Sequence, residues 1–291
     1  MKICVLSRGP TLYSTSRIAQ AGRRRQHDVR IVDPYNISFG TLDGELALHH
    51  PTVDLSTFDV IIPRIGASAM GFGLPIVQQF ELAGFPVVNS SDSFVLSRDK
   101  IVAGQVLGAM GIPVPKTLSV RSPDEIDKAV ERLGGAPIVV KIHPGTQGVG
   151  VAICETARSA RSTVEAFWSL NREVLLQEFI AEASGSDIRM FVVDGKVVGA
   201  MKRTAPSAEF RSNLHRGGTA ESYEISDAMR EVAVRSADAM DLLVAGVDVL
   251  ESSKGPLVME VNPSPGLQGI EEATRVDVAG YIIQCAERLV G

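Results

Sequence analysis

The segment that decides the fold is GVDVLESSKGPLVMEVN, residues 246–262. Two apolar runs flank the polar loop SKG at 253–255, whose glycine can adopt a left-handed conformation, so the segment is predicted to be a β-hairpin. The register expected from this loop pairs Ser252 with Pro256. Because side chains alternate between the two faces of a strand, this register decides which residues lie together.

Three oxygen-bearing side chains fall on one face of the predicted hairpin. Asp248 lies directly opposite Glu260, and Asn262 follows two residues later on the same face. The other face carries only apolar side chains, namely Val247, Val249, Leu257, Met259 and Val261. Opposed carboxylates repel each other, and a hard cation with oxygen ligands, such as magnesium with a nucleoside triphosphate, relieves the repulsion. We therefore predict a metal site rather than a solvated surface hairpin.

Composition narrows the class of protein. The chain has 291 residues, 45% of them hydrophobic and 22% charged, which is typical of a folded protein of about two domains. Its net charge of −5 and its 5% aromatic content argue against direct nucleic-acid binding. Three scattered cysteines predict neither disulfides nor a thiolate metal site. No long apolar run suggests a signal peptide or a membrane span, so we expect a cytoplasmic protein.

Strand and helix signals alternate in the first third of the chain. A helix is predicted near 14–25, and short strands are predicted at 2–7, 29–33, 58–63 and 86–89. This alternation favours an open parallel sheet with helices on both faces. Arg8 and Arg64 each follow one of these strands, at the edge where such sheets bind ligands. Either residue alone could be an ordinary surface arginine, but together they predict an anion site.

The pattern changes near residue 98. Predicted helices lie at 99–111, 122–133, 157–170, 226–240 and about 270–289. Predicted strands lie at 116–120, 137–142, 151–155, 174–180, 187–194 and 196–203, followed by a loop over 204–222 and the hairpin. This part of the chain therefore mixes helices with strands that follow one another directly.

Two lysines are candidate phosphate ligands. Lys141 ends the apolar strand PIVVKI and precedes HPGTQGVG, whose glycines can offer backbone N–H groups to phosphate. An ordinary glycine-rich hairpin loop would have the same pattern, and the segment is not a P-loop. Lys100 begins a helix, where an acidic residue would suit the helix dipole better. The segment 187–216 carries a net charge of +3, which places basic residues near the predicted site.

Taken together, these motifs resemble those of ATP-grasp ligases, and more closely those of the RimK-type ribosomal-protein glutamate ligases. The segments that carry the resemblance are LSRGPTLYS (6–14), IPRIG (62–66), SRDK (97–100), Lys141 with GTQGVG, QEFI (177–180), DIR (187–189), FRSNLHRGG (210–218), GVDVL (246–250) and MEVNPSPGL (259–267). The pair His143-Pro144 departs from the family pattern, where an apolar residue and an acid are expected. The likeness extends over nearly the whole chain.

The resemblance implies an α/β fold in which an open parallel-sheet domain precedes an ATP-grasp fold of two α+β subdomains. The substrate-binding N-terminal domain would cover 1–97 and the ATP-grasp domain 98–291. Within the latter, the lid would cover about 111–178 and the metal-site subdomain about 179–291. These boundaries are expectations from the family pattern.

The resemblance also implies a role for each matching residue. ATP would be bound by Lys100, Lys141, Glu178, Phe179, Asp187, Arg211, Ser212 and Asn213. One Mg²⁺ would be held by Asp248 and Glu260 and a second by Glu260 and Asn262, with Mn²⁺ as a substitute. Substrates would be bound by Arg8, Arg64, Arg189 and Arg203, and the catalytic residues would be Arg203 and Arg211.

The implied activity is the ATP-dependent addition of L-glutamate to the C-terminal tail of a small-subunit ribosomal protein through an acyl phosphate, by a homo-oligomeric enzyme. Three alternatives remain open at this point. The chain could join another amino acid or act on a carrier protein. It could be a non-catalytic module that binds Mg-ATP, or a metal-dependent hydrolase that uses the acidic hairpin alone.

Overall fold

The structure is a computed structural model that describes residues 1–143, 145, 149–183, 185–206 and 217–291. Within these residues the strands form a three-stranded parallel sheet, a two-stranded hairpin, a four-stranded antiparallel sheet and a five-stranded antiparallel sheet. None of the helices in this part of the chain is long and apolar enough to cross a membrane. The predicted α/β fold is confirmed.

The N-terminal sheet is parallel, with strand order β2-β1-β5. Its strands are β1 (Lys2–Leu6), β2 (Asp28–Val32) and β5 (Val60–Pro63), and helix α1 (Tyr13–Arg24) follows β1. The fourth strand predicted at 86–89 is reduced to a single parallel bridge between Val87 and Ile61. The carboxyl ends of β1 and β5 lead into Arg8 and Arg64, as predicted.

One hairpin and two helices of this domain were not predicted. They are the hairpin strands β3 (Ser38–Leu42) and β4 (Glu45–His49) and the helices α2 (Met70–Leu82) and α3 (Ser91–Arg98) that follow β5. The hairpin turns at Asp43 and Gly44, both with positive φ, and Asp-Gly at such a turn is a strong hairpin signal. Helix α2 contains Pro75 and two glycines, which depress its intrinsic helix propensity, but its buried face packs into the core.

A four-stranded antiparallel sheet follows, with strand order β6-β9-β7-β8. Its strands are β6 (Thr117–Ser119), β7 (Ile138–His143), β8 (Val151–Cys154) and β9 (Glu173–Glu178). Helices α5 (Pro123–Arg132) and α6 (Ala157–Ser169) bury their apolar residues against it. Helix α4 (Lys100–Ala109) precedes this sheet and begins at Asp99, whose carboxylate accepts hydrogen bonds from two backbone N–H groups.

The five-stranded antiparallel sheet has the order β12-β11-β10-β13-β14. Its strands are β10 (Ser186–Val193), β11 (Lys196–Thr204), β12 (Thr219–Ser222), β13 (Val244–Ser252) and β14 (Gly255–Asn262). Its helices are α7 (Asp227–Ala239), α8 (Gln268–Thr274) and α9 (Val278–Val290). The single last helix predicted at 270–289 was wrong, because Arg275 adopts φ +62° and ends α8. Residues 219–222, predicted as loop, form an edge strand on β11.

The predicted hairpin is formed by β13 and β14, but its register changes along its length. Ser252 pairs with Gly255 rather than with Pro256, so the pairing predicted at the turn was wrong. A β-bulge beside Asp248 adds one residue to β14 and restores the predicted pair of Asp248 with Glu260. The bulge also places Val258 in the core, in place of the predicted Leu257 and Met259, which are half-buried.

Apolar packing joins the N-terminal sheet to the five-stranded sheet. One continuous core contains residues of β1, α1, β10 and α9, including Ile3, Ile18, Phe191 and Ile283. The opposite face of the five-stranded sheet packs against α7 and α4 in a second core. The four-stranded sheet and its two helices have a core of their own, which shares no residue with the other two. The strand ends that carry Arg64 are therefore held firmly beside the hairpin.

Candidate functional site

The hairpin gathers Asp248, Glu260 and Asn262 on one face. Asp248 pairs with Glu260. Two residues further along β14, Asn262 pairs with Gly246 in the same register. Asp248 is only 2% exposed, whereas Glu260 and Asn262 are half-buried. The amide oxygen of Asn262 accepts the backbone N–H of Ser264 at 3.0 Å. The shared face predicted from the sequence is therefore present.

The charge of Asp248 is already compensated by two arginines. Arg189 donates from Nε to Oδ1 and from Nη2 to Oδ2 of Asp248, both at 2.6 Å. Arg203 donates from Nη2 to Oδ2 of Asp248 at 2.8 Å and makes a forked contact with Asp187 at 2.6 and 2.8 Å. We call Asp187, Arg189, Arg203 and Asp248 the buried quartet. Its two acids and two arginines balance in charge.

The quartet favours the ionised form of Asp248. Burial alone would raise the pKa of Asp248, but the charges and hydrogen bonds of Arg189 and Arg203 outweigh burial and lower it. Burial likewise opposes the charge of Arg203, and Asp248 and Asp187 reverse that effect and raise its pKa. Repulsion between opposed carboxylates was the reason to predict a cation here. The structure shows that arginines meet this need at Asp248.

Glu260 differs from Asp248, since among the described residues it carries no hydrogen bond or ion pair. It interacts electrostatically with Arg98 and with Lys141. Its carboxylate therefore faces cations without being bound to one. An acceptor group with open lone pairs beside Asp248 and Asn262 provides oxygen donors of the kind that Mg²⁺ prefers.

Lys141 on β7 reaches the same region from the four-stranded sheet. Its Nζ donates to Oε1 of Gln177 at 2.6 Å, and Gln177 in turn donates to Oγ1 of Thr117 at 2.8 Å. Burial, together with the charge of Lys100, lowers the pKa of Lys141 to about 8, and Glu260 only partly offsets this. Lys100, Lys141 and Glu260, which come from three separate parts of the sequence, are thus brought within electrostatic reach of one another.

Glu178 and Asp187, predicted to contact the nucleotide base and sugar, make hydrogen bonds to other residues of the protein. The backbone N–H of Glu178 donates to the carbonyl of Lys116 at 3.0 Å, and its Oε1 accepts the backbone N–H of Lys116 at 2.7 Å. Phe179 follows directly at the end of β9, in the connection to β10. Asp187, predicted to face the ribose, belongs to the buried quartet. Arg211, Ser212 and Asn213 lie outside the described residues.

Of the four arginines predicted to bind substrate, Arg189 and Arg203 belong to the buried quartet, and the two that follow strands of the N-terminal sheet are in different surroundings. Arg64 donates from Nη2 to the carbonyl of Pro265 at 2.7 Å, which ties it to the chain just beyond the hairpin. Arg8 is exposed and its guanidinium carbon lies 4.1 Å from the ring centroid of Tyr35. That ring contacts Phe72 edge-on, with centroids 5.2 Å apart. Arg64 therefore lies beside the candidate metal site, and Arg8 lies against an aromatic cluster.

Sequence reasoning missed two residues of this region, Arg98 and Asn89, and gave no position to His143. Arg98 ends α3 beside Glu260, and its position two residues before Lys100 in SRDK was the available signal. Asn89 is 2% exposed and bridges the N-terminal domain to the hairpin by hydrogen bonds to Val244 and to the carbonyl of Pro263. His143, noted as a departure from the family pattern, lies with Nε2 3.6 Å from Oδ1 of Asp99.

A lysine-bearing antiparallel sheet faces a second sheet with paired carboxylates, and an N-terminal α/β domain lies alongside. This arrangement is that of an ATP-grasp ligase. The family model described as RimK PreATP-grasp domain matches residues 1–94, and the RimK-like ATP-grasp domain matches residues 97–286. The chain belongs to the RimK-like ATP-grasp family, as its motifs suggested, and is an ATP-dependent ligase.

Similar proteins agree with this assignment. A probable alpha-L-glutamate ligase of Stutzerimonas stutzeri is 49% identical over 288 residues, which cover 99% of this chain and 96% of the relative. The RimK-domain ATP-grasp protein of Sphaerobacter thermophilus has a TM-score of 0.75 at 24% identity, with 100% of both chains covered. The ATP-grasp ligase PsnB, solved with a precursor variant, Mg and ADP, has a TM-score of 0.75 at 20% identity, covering 100% of this chain and 98% of PsnB. These two structures support the fold.

Proposed function

We propose that this protein uses ATP to join L-glutamate to the C-terminal carboxylate of a small-subunit ribosomal protein, releasing ADP and phosphate. The observation that carries the proposal is that Lys100, Lys141 and Glu260 lie within electrostatic range of one another, with Arg98 near Glu260. The 49% identity to a probable alpha-L-glutamate ligase over nearly the whole chain supports glutamate as the added amino acid.

In the first step the acceptor carboxylate attacks the γ-phosphorus of ATP, the bond to the β-phosphate oxygen breaks, and an acyl phosphate and ADP form. Lys100 and Lys141 supply positive charge to the phosphates. With a pKa of about 8, Lys141 is mostly protonated at neutral pH and can serve in this role. Glu178 and Phe179 would present backbone to the adenine, and Asp187 would approach the ribose. Arg211, Ser212 and Asn213 would bind the triphosphate.

The hairpin residues fit a pair of divalent cations. Asp248 and Glu260 would hold one Mg²⁺, and Glu260 with Asn262 would hold the second, with Mn²⁺ as a substitute. Glu260 has open lone pairs, and the carboxylate of Asp248 can accept more contacts than its arginines use. When bound, the cations supply charge neutralisation to the phosphates. PsnB, whose fold this chain shares, was solved with Mg and ADP.

In the second step the neutral amine of glutamate attacks the acyl carbon, phosphate leaves, and the nitrogen gives up a proton as the amide forms. No covalent enzyme nucleophile takes part, so the protein contributes positioning and charge stabilisation. Arg189 and Arg203 would bind the glutamate carboxylate or the acyl phosphate, with Arg203 and Arg211 stabilising the reacting groups. Arg8 and Arg64 would bind the acceptor. We expect a cytoplasmic homo-oligomer that does not bind nucleic acid directly.

The test measures ADP release with a synthetic acidic peptide that ends in glutamate and stands in for a ribosomal-protein tail. Release is expected only when ATP, peptide and glutamate are all present, and mass spectrometry should show increments of one glutamyl residue. A screen of the twenty amino acids identifies the added one. Equal ADP release without glutamate and peptide would overturn the ligase assignment. Ligation of a different amino acid would overturn glutamate alone.

A further inference from the structure

In the described part of the chain, Arg64 of the N-terminal domain and Arg98 at the start of the ATP-grasp domain lie together beside the hairpin without a matching pair of acids. Arg64 follows β5 and Arg98 ends α3. Arg98 donates from Nη2 to the carbonyl of Ile65, the residue next to Arg64, and burial together with the charge of Arg98 lowers the pKa of Arg64 to about 10. We call them the arginine pair. Burial also lowers the pKa of Arg98, and only Glu260 partly offsets this.

The hydrogen bonds that the arginine pair makes to the described residues use few of its donors. Arg64 donates to the carbonyl of Pro265 at 2.7 Å, and Arg98 donates from Nη2 to the carbonyl of Ile65 at 3.1 Å. In the described part of the chain, neither guanidinium donates to a side-chain acceptor. The Nε of Arg98 is buried and has no hydrogen-bond partner among these residues. A buried donor without a partner is costly, and a carboxylate is the group that a guanidinium fork fits best.

A purely structural role explains only part of this arrangement. An arginine in the last turn of α3 complements the helix dipole, and one hydrogen bond to a carbonyl is ordinary for a capping arginine. Neither fact explains a second half-buried arginine beside it or the unpartnered Nε. Glu260 could serve as the shared counter-charge, but it is the acid with open lone pairs that the proposed function assigns to a cation.

We propose that Arg64 and Arg98 form the binding site for the C-terminal carboxylate of the acceptor peptide. The proposal rests on the proposed function and adds Arg98 to it. The carboxylate that must attack the γ-phosphate is that of the acceptor, and the arginine pair lies at the sheet edge next to Glu260, which also interacts with Lys141. Glutamate reacts through its amine, so its own carboxylates do not have to lie beside the γ-phosphate.

The test compares binding of two fluorescent peptides that share a sequence ending in glutamate, one with a free α-carboxylate and one with a C-terminal amide. The wild-type protein should bind the carboxylate form at least about tenfold more tightly, as expected for a hydrogen-bonded ion pair. Arg98→Met should abolish most of that preference, and Arg98→Lys should keep part of it. Arg30→Met, an exposed arginine of β2, is the matched control and should bind both peptides as the wild type does.

Steady-state kinetics provides the second measurement. Arg98→Met should raise KM for the acceptor peptide about tenfold or more, while KM for glutamate and ATP changes less than about twofold. Unchanged preference in Arg98→Met, or a raised KM for glutamate instead, would overturn the assignment even if the wild type is an active ligase. If the wild-type protein binds neither peptide, the proposed acceptor is wrong, and so is the proposal that its carboxylate binds the arginine pair. Thermal unfolding checks that both Arg98 variants are folded.

Discussion

The buried quartet and the arginine pair contain two arginines each, but only the quartet contains an equal number of acids. In the quartet, Arg189 and Arg203 share five hydrogen bonds of 2.6 to 2.8 Å with Asp187 and Asp248. In the arginine pair, the only acid within reach among the described residues is Glu260, and it contacts neither arginine directly. A balanced cluster fixes side chains in place. An unbalanced cluster attracts a ligand that completes it.

The largest effect is expected when the quartet is broken. Arg203→Met would remove the forked contact to Asp187 and one of the contacts to Asp248, and both acids are 5% exposed or less. Removing one partner of a buried ion pair typically lowers the free energy of unfolding by about 3–5 kcal/mol. Urea unfolding measures this. Arg235→Met, which removes an exposed arginine, is the control and should change stability by less than about 0.5 kcal/mol. A loss below about 1 kcal/mol in Arg203→Met would show that the acids do not depend on it.

Lys141, like the arginine pair, is a buried cation without a fully compensating acid, and this predicts that ATP binding depends on pH. As the pH rises through about 8, Lys141 loses its proton, and ATP binding should weaken by up to about tenfold per pH unit. Its folded pKa lies below the ordinary value of 10.5, so the unfolded chain binds more protons between these values. This group therefore makes folding stability rise with pH in that window, which is opposite to its effect on ATP.

Calorimetric ATP titrations from about pH 7 to about pH 9.5 measure the first trend, and urea unfolding at the same pH values measures the second. Lys141→Arg keeps its charge over this range and is expected to remove the fall in ATP affinity above about pH 8. If the wild type and Lys141→Arg show the same pH profile, another group controls nucleotide binding.

A smaller effect is expected from Arg98→Met on stability. The substitution removes a half-buried charge whose Nε has no partner among the described residues, and it also removes one hydrogen bond and a favourable helix-dipole contact. These terms oppose each other, so the free energy of unfolding should change by less than about 1 kcal/mol. Measured beside Arg203→Met, this value sharpens the contrast between the two arginine clusters. Losses of similar size in both variants would show that the arginine pair is structural.

The smallest change in stability is expected from Glu260→Gln, because no hydrogen bond or ion pair holds Glu260 in the described structure. The free energy of unfolding should stay within about 0.5 kcal/mol of the wild type. Mn²⁺ binding, followed by electron paramagnetic resonance in the presence of ADP, should weaken strongly. Retained Mn²⁺ binding in this variant would remove Glu260 from the proposed metal ligands.

The sequence was informative where the chemistry is local. The glycine turn and the apolar pattern predicted Asp248 opposite Glu260. The pair is correct only because a bulge, which gave no signal in the sequence, offsets the wrong pairing at the turn. The hairpin of β3 and β4 could have been found from Asp43-Gly44. Helix α2 could not, because packing overrides the low helix propensity of its glycines and Pro75.

The contacts within the arginine clusters were not predicted from the sequence, for a different reason. Arg203 and Asp248 are 45 residues apart, and Arg189 and Asp248 are 59 apart. Their contacts depend on the order of strands in the five-stranded sheet, and no single sequence motif predicts that order. Repulsion between acids therefore suggested a cation from the sequence alone, whereas the fold also supplies arginines. Arg98 was missed because the functional role expected for the motif SRDK was assigned to Lys100 alone.

The separate cores of the molecule have a mechanical consequence. One continuous apolar core runs from Ile3 to Ala286 and locks the N-terminal sheet onto α9 and the five-stranded sheet. The four-stranded sheet keeps its own core, whose members lie between residues 118 and 176. Among the described residues, the core of the four-stranded sheet shares no member with the core that joins the N-terminal sheet to the five-stranded sheet. The sheet that carries Lys141 can therefore shift relative to the arginine pair and the hairpin without opening either of these two cores.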